Sequence, residues 1–135
     1  MINSYTITSQ SVLVNETLDF DVTKVKTGCT ITHTDGTASF SLNKPGFYFV
    51  TFNGDASSAV AGDITVQLLS NADIVPGASA TVTAAIGNIY NVSFSTIVQV
   101  LPSCCACDNS KTLTIANTGV DATYTNANIV ITKLC

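Results

Sequence analysis

Charge is what this sequence has least of. Only 10% of its 135 residues are charged, as five lysines and nine carboxylates with no arginine, against roughly 25% in an average soluble domain. Five scattered lysines cannot neutralise a run of phosphates, and a net charge of −4 repels a nucleic-acid backbone, so nucleic acid is excluded as a partner. Long apolar runs are missing as well. None approaches the roughly 18 residues of a spanning helix, so no membrane partner is expected. The opening Met1-Ile2-Asn3-Ser4-Tyr5-Thr6 has neither the basic nor the apolar region of a secretory leader. That points to a chain made and folded in a cytoplasm, unless a leader or stalk has been trimmed away. Amphipathic helices are absent too, since no long segment places apolar residues at three-and-four spacing behind a cap. With one histidine, and no Ser/His/Asp triad, glycine-rich phosphate loop or paired carboxylates to be read out, no enzyme is expected.

What the chain has in abundance is material for strands. Val, Ile and Thr make up 45 residues, and Ser and Asn another 24, a composition that suits pleated, half-buried backbone. Disorder is excluded, because 46% of the residues are hydrophobic and the net charge is small. Period-two alternation runs almost from end to end. Leu18, Phe20 and Val22 alternate with Asp19 and Asp21; Ile64, Val66 and Leu68 alternate with polar neighbours, as do Ala78 through Ala84 and Tyr90 through Leu101. Asp35-Gly36 is a two-residue hairpin signal, Lys44-Pro45-Gly46 and Asn71-Ala72-Asp73 read as further turns, and Pro102 ends a strand. Short strands with turn signals at regular intervals predict an all-β sandwich or barrel. The length predicts one domain over residues 1–135, with 1–15 as an N-terminal strand or arm.

Two stretches break the alternation. Phe47–Phe52 and Ile129-Val130-Ile131 are apolar on both faces, whereas a strand in a two-layer sandwich needs one apolar face. Something must cover the second face, either a loop of the same subunit or another subunit.

Five cysteines, Cys29, Cys104, Cys105, Cys107 and Cys135, are the chief candidates for chemistry. The Cys104-Cys105-Ala106-Cys107 run contains a Cys-x-x-Cys spacing, open to three readings: structural thiols or disulfides within or between subunits, a zinc site, or redox exchange. Zinc needs two further ligands, for which Cys29, His33 and Cys135 are available if the fold brings them near. Cys29 and His33, four apart on a strand, lie about 13 Å from each other, too far for a nucleophile pair, and His33 reads as a polar hairpin residue. The aspartates fall singly, mostly in turns, without the dense spacing of a calcium loop, and read as solvated turn acids. The expectation is no cofactor, with zinc at the cysteines or calcium as lesser alternatives.

The order of these motifs resembles a known family. Lys44-Pro45-Gly46-Phe47-Tyr48-Phe49-Val50-Thr51-Phe52, then Asp63–Leu68, the long Tyr90–Leu101, the short Thr112–Ile115 and the terminal Asn128–Leu134 are similar to the strands of the tumour necrosis factor and complement globular-head superfamily. Pro-Gly-Phe-Tyr-Phe-Val-Thr-Phe carries most of the likeness, which spans about Thr17 to Cys135. Tyr90–Cys105 and Thr125–Leu134 resemble its bacterial and phage branch, the heads of collagen-like spore-surface proteins and small trimeric virion proteins. The resemblance implies a compact ten-stranded jelly-roll sandwich assembled as a homotrimer. It implies that Phe47, Phe49, Phe52, Tyr90, Phe94, Ile129 and Ile131 form the core or trimer interface. The function implied is that of a non-enzymatic virion component, a capsid decoration or head or tail fibre module partnered by a capsid or tail protein. A bacterial cell-surface or spore-coat head with an adhesive or carbohydrate-binding role is the alternative, although the chain carries no Gly-X-Y repeat.

Overall fold

A computed structural model describes residues 1–102 and 110–134. Eleven strands make up the architecture: β1 (Ile2–Tyr5), β2 (Gln10–Val12), β3 (Val22–Lys26), β4 (Ile31–His33), β5 (Phe40–Leu42), β6 (Gly46–Ser57), β7 (Gly62–Ser70), β8 (Asp73–Ala84), β9 (Tyr90–Val100), β10 (Lys111–Asn117) and β11 (Ala122–Lys133). They form two antiparallel sheets. One runs β3-β1-β11-β6-β9 with β2 also on β11, and the other runs β4-β5-β10-β7-β8. The N-terminal arm thus supplies two short strands, β1 and β2, both paired to β11.

The core lies between the sheets and is built by the alternation in the sequence. Tyr48, Val50, Phe52 and Ala56 of β6 point inward beside Ile129 and Ile131 of β11, and meet Phe40, Ile64, Val66, Leu68, Leu113 and Ile115 of the other sheet. Phe20 stands edge-on to Phe40, with ring centres 5.4 Å apart, and to Phe52 at 6.5 Å.

Strand β11 keeps one face inward over its full length only through a bulge. Tyr124 pairs with Ala56 and Ile129 with Phe52, so five steps on β11 match four on β6. An odd separation would put Tyr124 and Ile129 on opposite faces, but the extra residue re-phases the strand so that both are buried. Asn126 absorbs the irregularity at φ 52°. Gly54 lies opposite, where a Cβ would sit 3.3 Å from the Ala127 Cα.

One turn and one strand differ in detail from the sequence expectation. Asp35-Gly36 does sit at the centre of a turn closed by Thr37 N donating to Thr34 O at 3.1 Å, but the connection spans 34–39 and only Gly36 of the pair has a positive φ. This is the pattern of a type II turn, not of the type I′ turn that a two-residue Asp-Gly hairpin favours. The type I′ pattern occurs instead at Asn71-Ala72, at φ 51° and 67° between paired Ser70 and Asp73. Around Leu18–Val22 the burial alternates as expected, yet only isolated bridges from Thr17 and Phe20 form before β3 begins. The Asp19 N–H donates to the Gln10 side chain, and the Asp21 carboxylate accepts from Ile7 N at 3.0 Å, so side chains complete the backbone bonding there.

Candidate assembly surface

A sandwich of two open sheets has four edges, each with unpaired backbone groups that invite a further strand. Three carry a recognisable safeguard. Strand β3 bears Lys24 and Lys26, β4 is three residues long, and β8 contains Pro76 with a break in its register against β7. The fourth edge, β9, is different. Its eleven residues, Tyr-Asn-Val-Ser-Phe-Ser-Thr-Ile-Val-Gln-Val, hold no charge and no proline, and they pair with β6 without a bulge. Beside this edge the core is incompletely closed, because Ala80 and Val82 of β8 and Tyr90 and Phe94 of β9 pack on it while staying partly exposed.

The outer face of the same sheet carries the second anomaly. Phe47 and Phe49 project from β6 away from the core and are 43% and 38% exposed, and Ile97, paired to Phe49 on β9, is 56% exposed. Val130, half-buried, continues the apolar surface on β11, and Leu134 N donates to Phe47 O at 2.8 Å, which draws exposed Leu134 to the same corner. Further along the face the residues turn polar, through Tyr5, Asn53 and Asn128. Between Val25 and Val130 lies Asn3, whose side-chain oxygen is buried without a hydrogen-bond partner, a condition that costs about 1–3 kcal/mol.

The structure divides the core-or-interface set that the sequence left undivided. Phe52, Ile129 and Ile131 are core; Phe47 and Phe49 lie on the outer face; Tyr90 and Phe94 sit at the open β9 edge, with Phe94 stacked on Phe52 at 5.5 Å. The chain leaves Phe47 and Phe49 more than a third exposed. Ile97 was not singled out from sequence, although its place in an alternating strand beside a doubly apolar one is the signal that finds it.

Of the residues considered for chemistry, Cys104, Cys105, Cys107 and Cys135 lie outside the described residues. Cys29 is an exposed free thiol in the loop before β4. His33 stacks on Phe40 with ring centres 4.0 Å apart, and its Nδ1 and Nε2 lie 2.9 Å from Ser39 O and 3.2 Å from Phe20 O. It therefore ties the β4–β5 hairpin to the Leu18–Phe20 segment. Among the described residues no three His, Cys, Asp or Glu side chains come together as metal ligands would.

A buried polar clamp missed by sequence reading is Asn117, fully enclosed at the end of β10. Its Nδ2 donates to Val12 O at 3.0 Å and Val120 O at 2.9 Å, while its Oδ1 accepts from Tyr124 Oη at 3.1 Å and Gly119 N at 3.3 Å. One side chain thereby fixes β2, the β10–β11 turn and β11. Burial raises the Tyr124 phenol well above the ordinary tyrosine range, and it also raises that of Tyr48, which is partly offset by the hydroxyl's bond to Lys44 O. No asparagine signal marks this role in sequence, since Asn117-Thr118-Gly119 reads only as a turn.

No protein-family model matches the sequence, and no curated protein does. Solved structures match it over nearly its whole length. The globular domain of zebrafish complement 1qA protein superposes with a TM-score of 0.72 at 14% identity, over 99% of this chain and 96% of that one. Murine APRIL gives 0.68 at 8% identity, over 98% and 97%. PRD1 vertex protein P5, from a phage, gives 0.62 at 14% identity, over 99% and 96%. The fold is therefore the tumour necrosis factor-like jelly roll expected from the strand motifs.

Proposed function

We propose that the chain is a non-enzymatic structural head module, a single jelly roll over residues 1–135 that assembles as a homotrimer and serves as a component of a virion. The observation that carries the self-assembly is the β9 edge, free of charge, proline and bulges in its own sequence, beside a partly exposed apolar face on the same sheet. An edge of one copy set against the face of the next is a heterologous contact, and such contacts close into a ring when the rotation permits. The number three rests on the family resemblance. In that arrangement Phe47, Phe49, Ile97 and the β9 edge become dry. Likeness to a phage vertex protein, and a surface hydrated by Thr, Ser and Asn instead of charge, support a capsid or tail partner and a virion location.

Phe49→Asp tests the assembly without touching the core. Burying the exposed remainder of one Phe side chain is worth about 1 kcal/mol, so three copies contribute about 3 kcal/mol and a buried charge adds to the loss. The trimer association constant should fall at least a hundredfold by light scattering, with the strand signal in circular dichroism retained. Unchanged assembly would refute the interface. Antibody labelling of purified particles tests location separately, and label absent from particles whose producer makes the protein would refute the virion assignment.

A further inference from the structure

At the end of the sandwich where β6, β8 and β10 finish, four connections come together, and three of them carry exposed aliphatic tips. Leu13 and Val14 follow β2, Val60 lies between β6 and β7, and Ile86 and Ile89 lie between β8 and β9; all five are about half exposed or more, with Ile86 at 67% and Ile89 at 71%. Turn residues are ordinarily polar, so five aliphatic tips at one end form an unusual surface. These tips are held in place. Gly87 N donates to Ser58 O at 3.0 Å, Ser58 Oγ to Asp121 O at 2.8 Å, and Val14 N to Asp121 Oδ1 at 2.8 Å, which links all four connections in series. Ala85 N donates to Tyr90 Oη at 3.1 Å and secures the base of the β8–β9 connection.

Charge at this end has one sign. Glu16, Asp63 and Asp121 are exposed around the aliphatic tips. Four of the five lysines lie toward the other end, where Lys44 precedes β6, Lys111 opens β10, Lys133 closes β11 and Lys26 pairs with Ile2 at the start of β1, while Lys24 lies midway along the sheet beside Tyr5 and Asn53. An acidic fringe opposes an anionic lipid surface and also opposes the same end of another copy. We propose that this end docks a protein segment whose apolar face is flanked by lysine or arginine. Rigid loops presenting aliphatic side chains within an acidic rim complement such a segment in both shape and charge. The surface uses neither the outer sheet face nor Phe49, and only Ile89 adjoins the β9 edge of the trimer contact.

A fluorescent amphipathic peptide of Leu and Lys serves as the probe, with a Leu–Glu peptide of the same pattern and phosphatidylcholine vesicles beside it. The wild-type chain should bind the Leu–Lys peptide. Affinity should fall at least tenfold in Val60→Ser/Ile86→Ser/Ile89→Ser and also in Glu16→Gln/Asp63→Asn/Asp121→Asn, both melting as wild type does. Ile74→Ser, an equally exposed isoleucine at the opposite end, should leave affinity unchanged. No binding of the Leu–Lys peptide, equal binding of the Leu–Glu peptide, retained affinity in the triple serine variant, or preference for the vesicles would each overturn the proposal.

Discussion

Replacing Asn117 by alanine should be among the most damaging single changes in this fold. The amide makes four hydrogen bonds, and the side chain is fully buried. Truncation leaves the Tyr124 hydroxyl, itself enclosed, without its acceptor, and strips donors from the Val12 and Val120 carbonyls. An orphaned buried polar group costs about 1–3 kcal/mol, so with one such group fully enclosed and the others partly relaxed into solvent the loss is about 3–4 kcal/mol. Against a total stability of about 5–15 kcal/mol that is a large fraction, and it lowers the melting temperature by about 12–16 °C at about 4 °C per kcal/mol. Urea unfolding at one fixed protein concentration is the assay, because self-association would raise apparent stability. Tyr124→Phe removes the orphan hydroxyl, so the double variant should be less destabilised than the sum of the singles by about 1–2 kcal/mol. An Asn117→Ala loss below about 1 kcal/mol, or strict additivity in the cycle, would refute the role of the clamp.

Three further outcomes follow from local geometry. Ala72 holds a left-handed backbone at φ 67°, a conformation that costs an L-residue about 1–2 kcal/mol, so Ala72→Gly should raise stability by about 0.5–1 kcal/mol in the same unfolding assay. Gly119 has no room for a side chain: a Cβ would overlap Asp63 O and lie 2.7 Å from Thr65 N, so Gly119→Ala should cost more than about 2 kcal/mol. Tyr124, raised by burial, stays protonated in the folded chain after the unfolded phenol has begun to ionise near pH 10. Its contribution is complete below that pH and is lost as pH rises toward the folded value. Stability should therefore decline above about pH 10 by up to about 1.4 kcal/mol per pH unit, and the decline should be shallower in Tyr124→Phe.

Alternation made most strands legible, because a half-buried strand must repeat every two residues. Tyr90–Leu101 was expected from that pattern and β9 runs Tyr90–Val100. What alternation does not report is a partner for the backbone: Leu18 and Phe20 are buried as the pattern requires, yet they lack a continuous ladder. Nor does it report a change of phase, and so the bulge at Asn126 lay hidden in an apparently regular tail. At the candidate surface, the double apolarity of Phe47–Phe52 was visible in sequence. That β9 would be the exposed neighbour was not, because edge position depends on sheet order. The aliphatic loop tips escaped notice for a related reason: Leu13, Val60 and Ile86 lie far apart in sequence, and only the fold gathers them at one end.

In the proposed trimer a chain with so little charge hides its β9 edge and apolar face against its own copies. Sedimentation equilibrium of the unmodified protein at micromolar concentration tests it most directly. One species at three times the 14.0 kDa chain mass is expected, persisting on dilution. A species at the mass of a single chain, stable and soluble across that range, would contradict it.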